Sequence, residues 1–169
     1  MASLADDYIA IQQVLARYCR GVDRRDAVMM RSVYWDEAVD HHRIYDGGPD
    51  GFVEWVTNNS LKNVAVAGHV LGQSLIDLSG ETAAVETYFR AWSVPRQEST
   101  PPKVQVVNGR YLDRMLKRSN EWRIIERWLL VDLVEFLPLE SGARSDPTEI
   151  DKSFDLFPGK PSRNVEAGT

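Results

Sequence analysis

The 169-residue chain is 43% hydrophobic and carries 20 Lys and Arg against 25 Asp and Glu, a net charge of −5; this length is typical of one domain, and a charge balance without a basic stripe excludes a nucleic-acid-binding surface. The single cysteine, Cys19, excludes an internal disulfide and a cysteine-rich zinc site. Acidic residues near the N-terminus do not suit a signal peptide and no apolar run approaches membrane-spanning length, so we expect a cytoplasmic protein with no membrane partner.

The N-terminal part of the sequence predicts helices. Apolar residues recur at three- and four-residue spacing through the first of them, and Asp6 or Asp7 can cap its N-terminus. Gly21 lies near its C-terminal end, where glycine relieves the left-handed strain of a helix stop. The predicted helices are residues 4–22, residues 25–33 and a segment that begins at Pro49, with an extended segment over residues 34–48.

After Lys62 the sequence changes to strand patterns. Val85 and Phe89 alternate with Glu86 and Tyr88, so that one face of the strand is apolar and the other polar. The predicted strands are residues 64–78, 82–94, 104–118 and 122–137, with a proline-rich loop before the third and a Ser119-Asn120 hairpin turn before the fourth.

Helices first and a long antiparallel meander afterwards define an α+β fold. We expect the N-terminal helices to pack on a strongly curved antiparallel sheet and to enclose with it a cone-shaped pocket, mostly apolar with a few polar groups. This domain covers residues 1–138. Residues 139–169 are polar with scattered prolines and form a tail, not a second domain.

Three residues of this fold suit acid/base chemistry. His69 lies in the apolar strand segment VAVAGHVLG, and histidine can take a proton near neutral pH. Asp23 follows the first helix and could hold His69 in one tautomer, while Tyr18 could donate a hydrogen bond to a leaving group or an oxyanion. Each also has a structural interpretation, as a core histidine, a helix-capping aspartate and a core tyrosine.

A second polar cluster is Asp40-His41-His42. On a strand, Asp40 and His42 share a face while His41 points away. Together with His69, these two could form the site of two histidines and one carboxylate that binds ferrous iron. The alternatives are that His42 binds or polarises a substrate in the pocket, or that it is a surface residue.

Further polar and aromatic residues are candidates for the pocket wall. Tyr88 and Trp92 share a strand face with Glu86 and Arg90, which is either a solvated face with an ion pair or part of a polar pocket. Most aromatic residues belong to the core by default, but some would suit a flat, ring-bearing substrate. The substrate-binding candidates are His42, Tyr45, Tyr88, Trp92, Arg110 and Trp35.

Several common catalytic motifs do not occur in the sequence. It contains no phosphate loop, dinucleotide fingerprint, serine elbow or CxxC pair. We therefore expect neither nucleotide-dependent chemistry nor a serine hydrolase, and we expect no cofactor.

The order of several short motifs resembles the SnoaL-like branch of the nuclear transport factor 2-like superfamily. The motifs are IQQVLARYCRGVDRRD, SVYWDEAV, AGHVLG, ETYFRAW and GRYLDRMLKRSNEWRI, and the likeness covers roughly residues 5–135. The superfamily's fold is the α+β cone. Its members include dehydratases, a dehydrochlorinase, isomerases, polyketide cyclases and a lyase that releases formaldehyde from lignin-derived compounds.

The resemblance implies that Asp23 and His69 form an Asp–His dyad, with Tyr18 at a position that holds tyrosine or lysine in the family. It also reveals departures. His42 falls near a family tyrosine of the pocket, so the residue type differs.

A further departure concerns the last strand. Val131 stands where the family has an arginine, which Arg110 or Arg127 could replace. This difference bears on the substrate more than on the dyad.

Residues and resemblance together predict a cofactor-independent lyase that acts by elimination or by deformylation on a small cyclic or aromatic substrate, with lignin-derived and polycyclic compounds as candidates. The alternatives are a ketosteroid-isomerase-like or cyclase-like isomerase, and a non-catalytic ligand-binding module of the same fold. The aromatic outer face of a curved sheet needs cover, which predicts a homo-oligomer, either a dimer or a trimer.

Overall fold

The structure of the protein, a computed structural model, describes residues 3–96, 103–139, 151 and 153–156. Most of the predicted proline-rich loop and most of the predicted C-terminal tail lie outside these residues. In chain order the elements are α1 (Leu4–Asp23), α2 (Ala27–Ser32), β1 (Tyr34–His42), β2 (Tyr45–Gly47), α3 (Pro49–Trp55) with a π-helical segment (Val56–Ser60), β3 (Val64–Ser79), β4 (Thr82–Pro95), β5 (Lys103–Arg118), β6 (Glu121–Pro138) and α4 (Ser153–Leu156).

Helix α1 begins one turn earlier than its acidic residues suggested. Ser3 is the N-cap: its hydroxyl accepts a hydrogen bond from the Asp6 N–H at 3.2 Å, and the Asp6 carboxylate accepts one from the Ser3 N–H at 2.8 Å. This reciprocal capping box satisfies two of the free N–H groups at the helix start. The predicted cap at Asp6 or Asp7 was therefore wrong, because Asp6 is the second member of the box.

Gly21 has a different role from the predicted helix stop. The positive φ that turns the chain after α1 belongs to Arg25, at 52°. A Cβ atom at Gly21 would lie 2.8 Å from the backbone nitrogen of Met30. Glycine is therefore needed here because α2 packs directly against the backbone of α1.

Six strands of the described residues form one sheet, in the order β2-β1-β6-β5-β4-β3. The meander from β3 to β6 is antiparallel, as predicted. The exception is β1, which runs parallel to β6. A tight hairpin can join only antiparallel neighbours, and the chain instead leaves β1 through β2 and α3 to reach the opposite edge of the sheet.

The inner face of the sheet carries the core and packs on α1. Along β4 the buried residues alternate as predicted, with Val85, Thr87 and Phe89 inside. The pairing register shifts in β3 and β5, for example at Asn108–Gly109, and such bulges bend a strand. Among the described residues, no helix is long and apolar enough to cross a membrane.

Candidate active site

Asp23 and His69 are in direct contact. The distance between Asp23 Oδ1 and His69 Nδ1 is 2.6 Å, and the backbone N–H of His69 donates to Asp23 Oδ2 at 3.0 Å. Their side chains are only 13% and 11% exposed. Because an ionised carboxylate can only accept hydrogen bonds, Nδ1 carries the proton and the lone pair of Nε2 is left to accept another. A separation well beyond ~3.2 Å would have favoured the ligand-binding module.

The local chain path explains why these two residues meet. Asp23 is the last residue of α1, and the left-handed Arg25 turns the chain immediately afterwards. The guanidinium of Arg25 donates to the carbonyl oxygen of Val64 at 2.6 Å, which ties this turn to the first residue of β3. The helix end and the strand that carries His69 are thus held together independently of the dyad.

His69 borders a partly open cavity of about 240 Å³ on the inner face of the sheet. Pockets for drug-sized ligands typically measure ~300–1,000 Å³, so this cavity suits a smaller molecule. Its wall is mostly apolar and aromatic, with two histidines and two tyrosines among its polar groups. The lining residues are Tyr18, Val22, His42, Trp55, Val56, Ser60, Leu61, Val64, Ala67, His69, Phe89, Ala91, Trp92, Ser93, Gln105, Val107, Tyr111 and Leu129.

On its other side, the dyad borders an open groove of about 850 Å³ between α1, α2 and β3. Two arginines of this groove contact the chain's own C-terminal segment: Arg24 Nε lies 2.6 Å from Asp151 Oδ2, and Arg20 Nη1 donates to Ser153 Oγ at 3.1 Å. We take the cavity as the candidate site because Tyr18 and His42 line it together with His69, whereas neither of them lines the groove.

Tyr18 lines the cavity from α1 and is 2% exposed. Its ring packs against Phe52 and Tyr111, and the Arg127 guanidinium lies 4.1 Å from its ring centroid. Burial raises the pKa of Tyr18 far above its usual range. The phenol therefore stays protonated and can donate a hydrogen bond without ionising.

His42 lines the same cavity and has its own carboxylate. Its Nδ1 lies 3.2 Å from Oδ1 of Asp40, whose other oxygen accepts a 2.6 Å hydrogen bond from the Tyr34 hydroxyl. Asp40 and Tyr34 are completely buried. Burial, and next the charge of Asp40, raise the pKa of Tyr34 well above its usual range, so this phenol remains a donor. Strand alternation predicted the shared face of Asp40 and His42, but nothing in the sequence pointed to Tyr34.

Arg127 lies in the interior beside the cavity. It is fully buried and donates two hydrogen bonds of 2.6 Å to Asp113, while its guanidinium also covers the ring of Tyr111, a lining residue, at 4.3 Å. Of the two arginines considered as replacements for the one expected at Val131, Arg127 is thus the interior one. Asp113 was missed, because an aspartate within an alternating strand gives no signal of a buried partner.

Trp92 is among the lining residues, whereas four other pocket candidates are not. Tyr88 is 43% exposed on the outer face of β4, and Arg110 beside it pairs with Glu86 and Asp132, each at 3.1 Å. Around Tyr88, β4 therefore has the exposed ion pairs of a solvated face, and the cavity lies on the Phe89 side of the strand.

The remaining two candidates are held by local hydrogen bonds. The Trp35 indole donates to the carbonyl oxygen of Leu116 at 3.0 Å, and the Tyr45 hydroxyl donates to that of Gly48 at 2.6 Å. Neither residue lines the cavity.

The iron site considered from the sequence is not formed. Within the part of the chain that the structure describes, no three His, Cys, Asp or Glu side chains come together to hold a metal ion. Asp40 and His42 are neighbours, but His69 pairs with Asp23 instead.

The sequence matches the profile of the SnoaL-like domain over residues 3–128, and a comparison with curated proteins finds no match. Among solved structures, a type 2 hexachlorocyclohexane dehydrochlorinase is 16% identical, with 85% of this chain and 95% of that chain covered and a TM-score of 0.70. A candidate scytalone dehydratase from Novosphingobium aromaticivorans is also 16% identical, with 83% and 95% covered and a TM-score of 0.69.

A protein from Kribbella flavida is 15% identical, with 79% and 95% covered and a TM-score of 0.72. At these identities the likeness shows the fold, the α+β arrangement of helices on a curved sheet. The matched profile runs from the start of α1 into β6 and covers most of the chain. The chain belongs to the SnoaL-like family.

Proposed function

We propose that this protein is a lyase in which His69 removes a proton from a small cyclic or aromatic substrate and Asp23 stabilises the imidazolium that forms. The observation that carries this proposal is the 2.6 Å contact between Asp23 and His69 Nδ1 at the wall of a mostly apolar cavity. This contact leaves Nε2 as the basic nitrogen. A positioned general base contributes about 10²–10⁴-fold to a rate.

Elimination is the reaction that best suits this site. His69 takes a proton from carbon, the C–H electron pair forms the new double bond, and the leaving group departs from the neighbouring carbon. Tyr18, protonated and at the cavity wall, donates a hydrogen bond to an oxygen atom of the substrate. Similar structures include proteins named for the removal of hydrogen chloride and of water, which supports this choice.

Deformylation uses the same base differently. His69 would remove the proton of a hydroxymethyl group, and the O–H electron pair would form the carbonyl bond of formaldehyde as the carbon–carbon bond breaks. The electron pair of the broken bond would form a double bond as a leaving group departs from the neighbouring carbon. Either reaction requires only proton transfers by side chains, so no cofactor takes part in the proposed chemistry. The size of the cavity, about 240 Å³, and its aromatic wall favour a substrate of one or two rings.

A screen without added cofactor tests the proposal. Small cyclic and aromatic alcohols are incubated with the protein, and loss of water, release of formaldehyde and exchange of carbon-bound hydrogen in D₂O are followed. We expect turnover that falls by about 10²–10⁴-fold in His69→Ala, a protein that still folds and binds the substrate. His41→Ala, on the outer face of β1, is the matched control and should keep full activity.

The outcomes separate the competing functions. Full activity in His69→Ala would contradict the proposal. Hydrogen exchange that depends on His69 but gives a rearranged double bond would instead identify an isomerase. Ligand binding without any exchange or product, in the presence of an intact dyad, would identify a ligand-binding module.

We also propose that the protein self-associates through the outer face of its sheet. Large apolar side chains of this face are exposed: Leu133 near the end of β6 is 52% exposed, and Val70 and Leu75 on β3 are 60% and 71% exposed. Apolar surface of this kind is typical of an interface. A dimer or trimer is expected in analytical ultracentrifugation, and Leu133→Glu should dissociate it; a monomeric wild-type protein would contradict this proposal.

A further inference from the structure

The cavity receives a second carboxylate–histidine pair that is independent of Asp23 and His69. His42 reaches it from β1 and His69 from β3, and these strands are separated in the sheet by β6, β5 and β4. In both pairs the carboxylate faces Nδ1, at 3.2 Å for His42 and 2.6 Å for His69. Each histidine therefore has Nε2 available for a substrate.

The two pairs differ in how their carboxylates are held. Asp23 is partly accessible and accepts a backbone N–H, whereas Asp40 is completely buried and accepts the Tyr34 hydroxyl. A buried carboxylate is costly unless a positive group compensates it. The buried cation nearby is Arg127, and it makes a bidentate ion pair with Asp113.

Counting charges around Asp40 shows which group compensates it. Asp40 and Asp113 are both buried, and Arg127 is engaged by Asp113 through two hydrogen bonds. The group within hydrogen-bond distance of Asp40 that can carry a positive charge is His42, whose Nδ1 lies 3.2 Å from Asp40 Oδ1. The charged or titratable groups around this pair are Tyr34 on β1, Tyr45 on β2, Tyr18 on α1, Tyr111 and Asp113 on β5 and Arg127 on β6. Burial raises the pKa of Tyr18, Tyr34 and Tyr111, so these phenols add no charge.

We propose that His42 is the general acid of the site: its Nε2–H protonates a leaving hydroxyl group, and Asp40 and Tyr34 are positioning residues that keep the imidazolium in place. This inference rests on the proposed function, since it assigns the acid that complements the base His69. It also names the substrate class, a small cyclic or aromatic alcohol whose hydroxyl lies on the carbon next to the one that loses its proton.

The step is balanced. His69 Nε2 takes the proton from carbon, and the C–H electron pair becomes the π bond. The C–O bond breaks, its electron pair stays with oxygen, and the proton from His42 completes a molecule of water. His69 is then protonated and His42 neutral, and both return to their starting states by proton exchange with solvent once the product has left. A chloride leaving group would need no such proton, so an acid at this position favours an oxygen leaving group.

Two substrates that differ only in their leaving group test the role of His42 as the general acid. The alcohol substrate and its analogue with chloride in place of the hydroxyl are compared in wild type, His42→Gln and His69→Ala. We expect His42→Gln to lose about 10²–10⁴-fold on the alcohol but less than tenfold on the chloride analogue, and His69→Ala to lose activity on both. His41→Gln, one residue away on the outer face, is the matched control.

The failure of each proposal is distinguishable. Equal losses on both substrates in His42→Gln would overturn the acid role while leaving the base role intact. Unchanged activity in His69→Ala would instead overturn the proposed function.

The positioning role of Asp40 has a readout that needs no substrate. In ¹⁵N NMR spectra recorded over a pH series, His42 should keep both ring protons to higher pH in wild type than in Asp40→Asn. If the rate can be measured, the alkaline limb of its pH profile should move to lower pH in Asp40→Asn. His42 signals that titrate identically in the two proteins would overturn the role, and Tyr34→Phe offers a milder second variant if Asp40→Asn fails to fold.

Discussion

His41 and His42 are consecutive residues of β1 that lie on opposite faces of the sheet. His41 stacks on Trp128 on the outer face, with its Nδ1 2.8 Å from Asp46, a residue that is largely exposed. His42 faces the cavity, and its carboxylate, Asp40, is fully buried. Both histidines have an acidic partner within hydrogen-bond distance. The two pairs differ in their contact with solvent. Water screens the electrostatic interaction of the exposed His41–Asp46 pair, whereas the buried carboxylate of Asp40 interacts strongly with the charged groups around it.

The arginine pairs of the two faces show the same contrast. Arg110 on the outer face bonds to Asp132 and Glu86, and all three side chains are 29–46% exposed. Arg127 and Asp113 in the interior are completely buried. Exposed ion pairs contribute about 0–1 kcal/mol, while removal of one member of a buried pair costs about 3–5 kcal/mol. The same arginine–carboxylate pairing therefore contributes little to stability when it is exposed, whereas loss of one partner in the interior destabilises the whole fold.

Replacing the carboxylate by an amide should affect activity in the Asp23–His69 pair at the cavity but not in the Asp46–His41 pair on the outer face. In Asp23→Asn, the side-chain oxygen keeps the bond from the His69 N–H, so the amide group donates to Nδ1. The ring proton then moves to Nε2 and the base is lost. We expect turnover to fall by about 10²–10⁴-fold, whereas Asp46→Asn should leave it unchanged. Equal activity in Asp23→Asn and wild type would break the distinction between the two faces.

The next largest difference is expected between the free energies of unfolding of variants in the buried Arg127–Asp113 pair and in the exposed Arg110–Asp132 pair. Asp113→Ala leaves Arg127 buried without a counter-charge and should lower the free energy of unfolding by about 3–5 kcal/mol. Asp132→Ala on the outer face should lower it by less than about 1 kcal/mol. Urea unfolding measures both. The double variant Asp113→Leu/Arg127→Met should recover much of the loss; a double variant as unstable as Asp113→Ala would contradict the electrostatic origin of the effect.

The smallest effect on the free energy of unfolding is expected from a change at His41, the histidine on the outer face. The hydrogen bond to Asp46 raises the pKa of His41. A raised folded-state pKa means that the contribution of this pair is fully present below the ordinary histidine pKa of about 6.5 and disappears as the pH rises through the raised value. His41→Gln should therefore destabilise by less than about 1 kcal/mol at pH 5 and not at all at pH 9. A larger loss at pH 9 than at pH 5 would contradict this sign.

Much of the fold could be predicted because local signals agree along this chain. The helix over residues 4–22 and the four long strands follow directly from periods of 3.6 and 2 residues, and the observed bounds differ by only a few residues. The parallel pairing of β1 with β6 could not be predicted, because it joins segments that are about 80 residues apart and no turn fixes their register.

For the site, strand alternation placed His42 and Asp40 on one face of β1, and the family resemblance joined Asp23 to His69. The burial of Asp113 and the bond from Tyr34 to Asp40 escaped prediction, since both depend on which strands become neighbours. Alternation also assigned Tyr88 and Arg90 to one face of β4 without showing which face lines the pocket. Only the curvature of the sheet decides that.

The tautomer of His69 tests the central assignment, a base held ready by Asp23, without any knowledge of the substrate. Long-range ¹H–¹⁵N correlation spectra of the histidine rings identify which nitrogen of the neutral imidazole carries the proton. We predict that His69 of the wild-type protein is protonated on Nδ1, with Nε2 as the acceptor, and that Asp23→Asn reverses this assignment. A wild-type His69 protonated on Nε2, or a tautomer unchanged in Asp23→Asn, would contradict it.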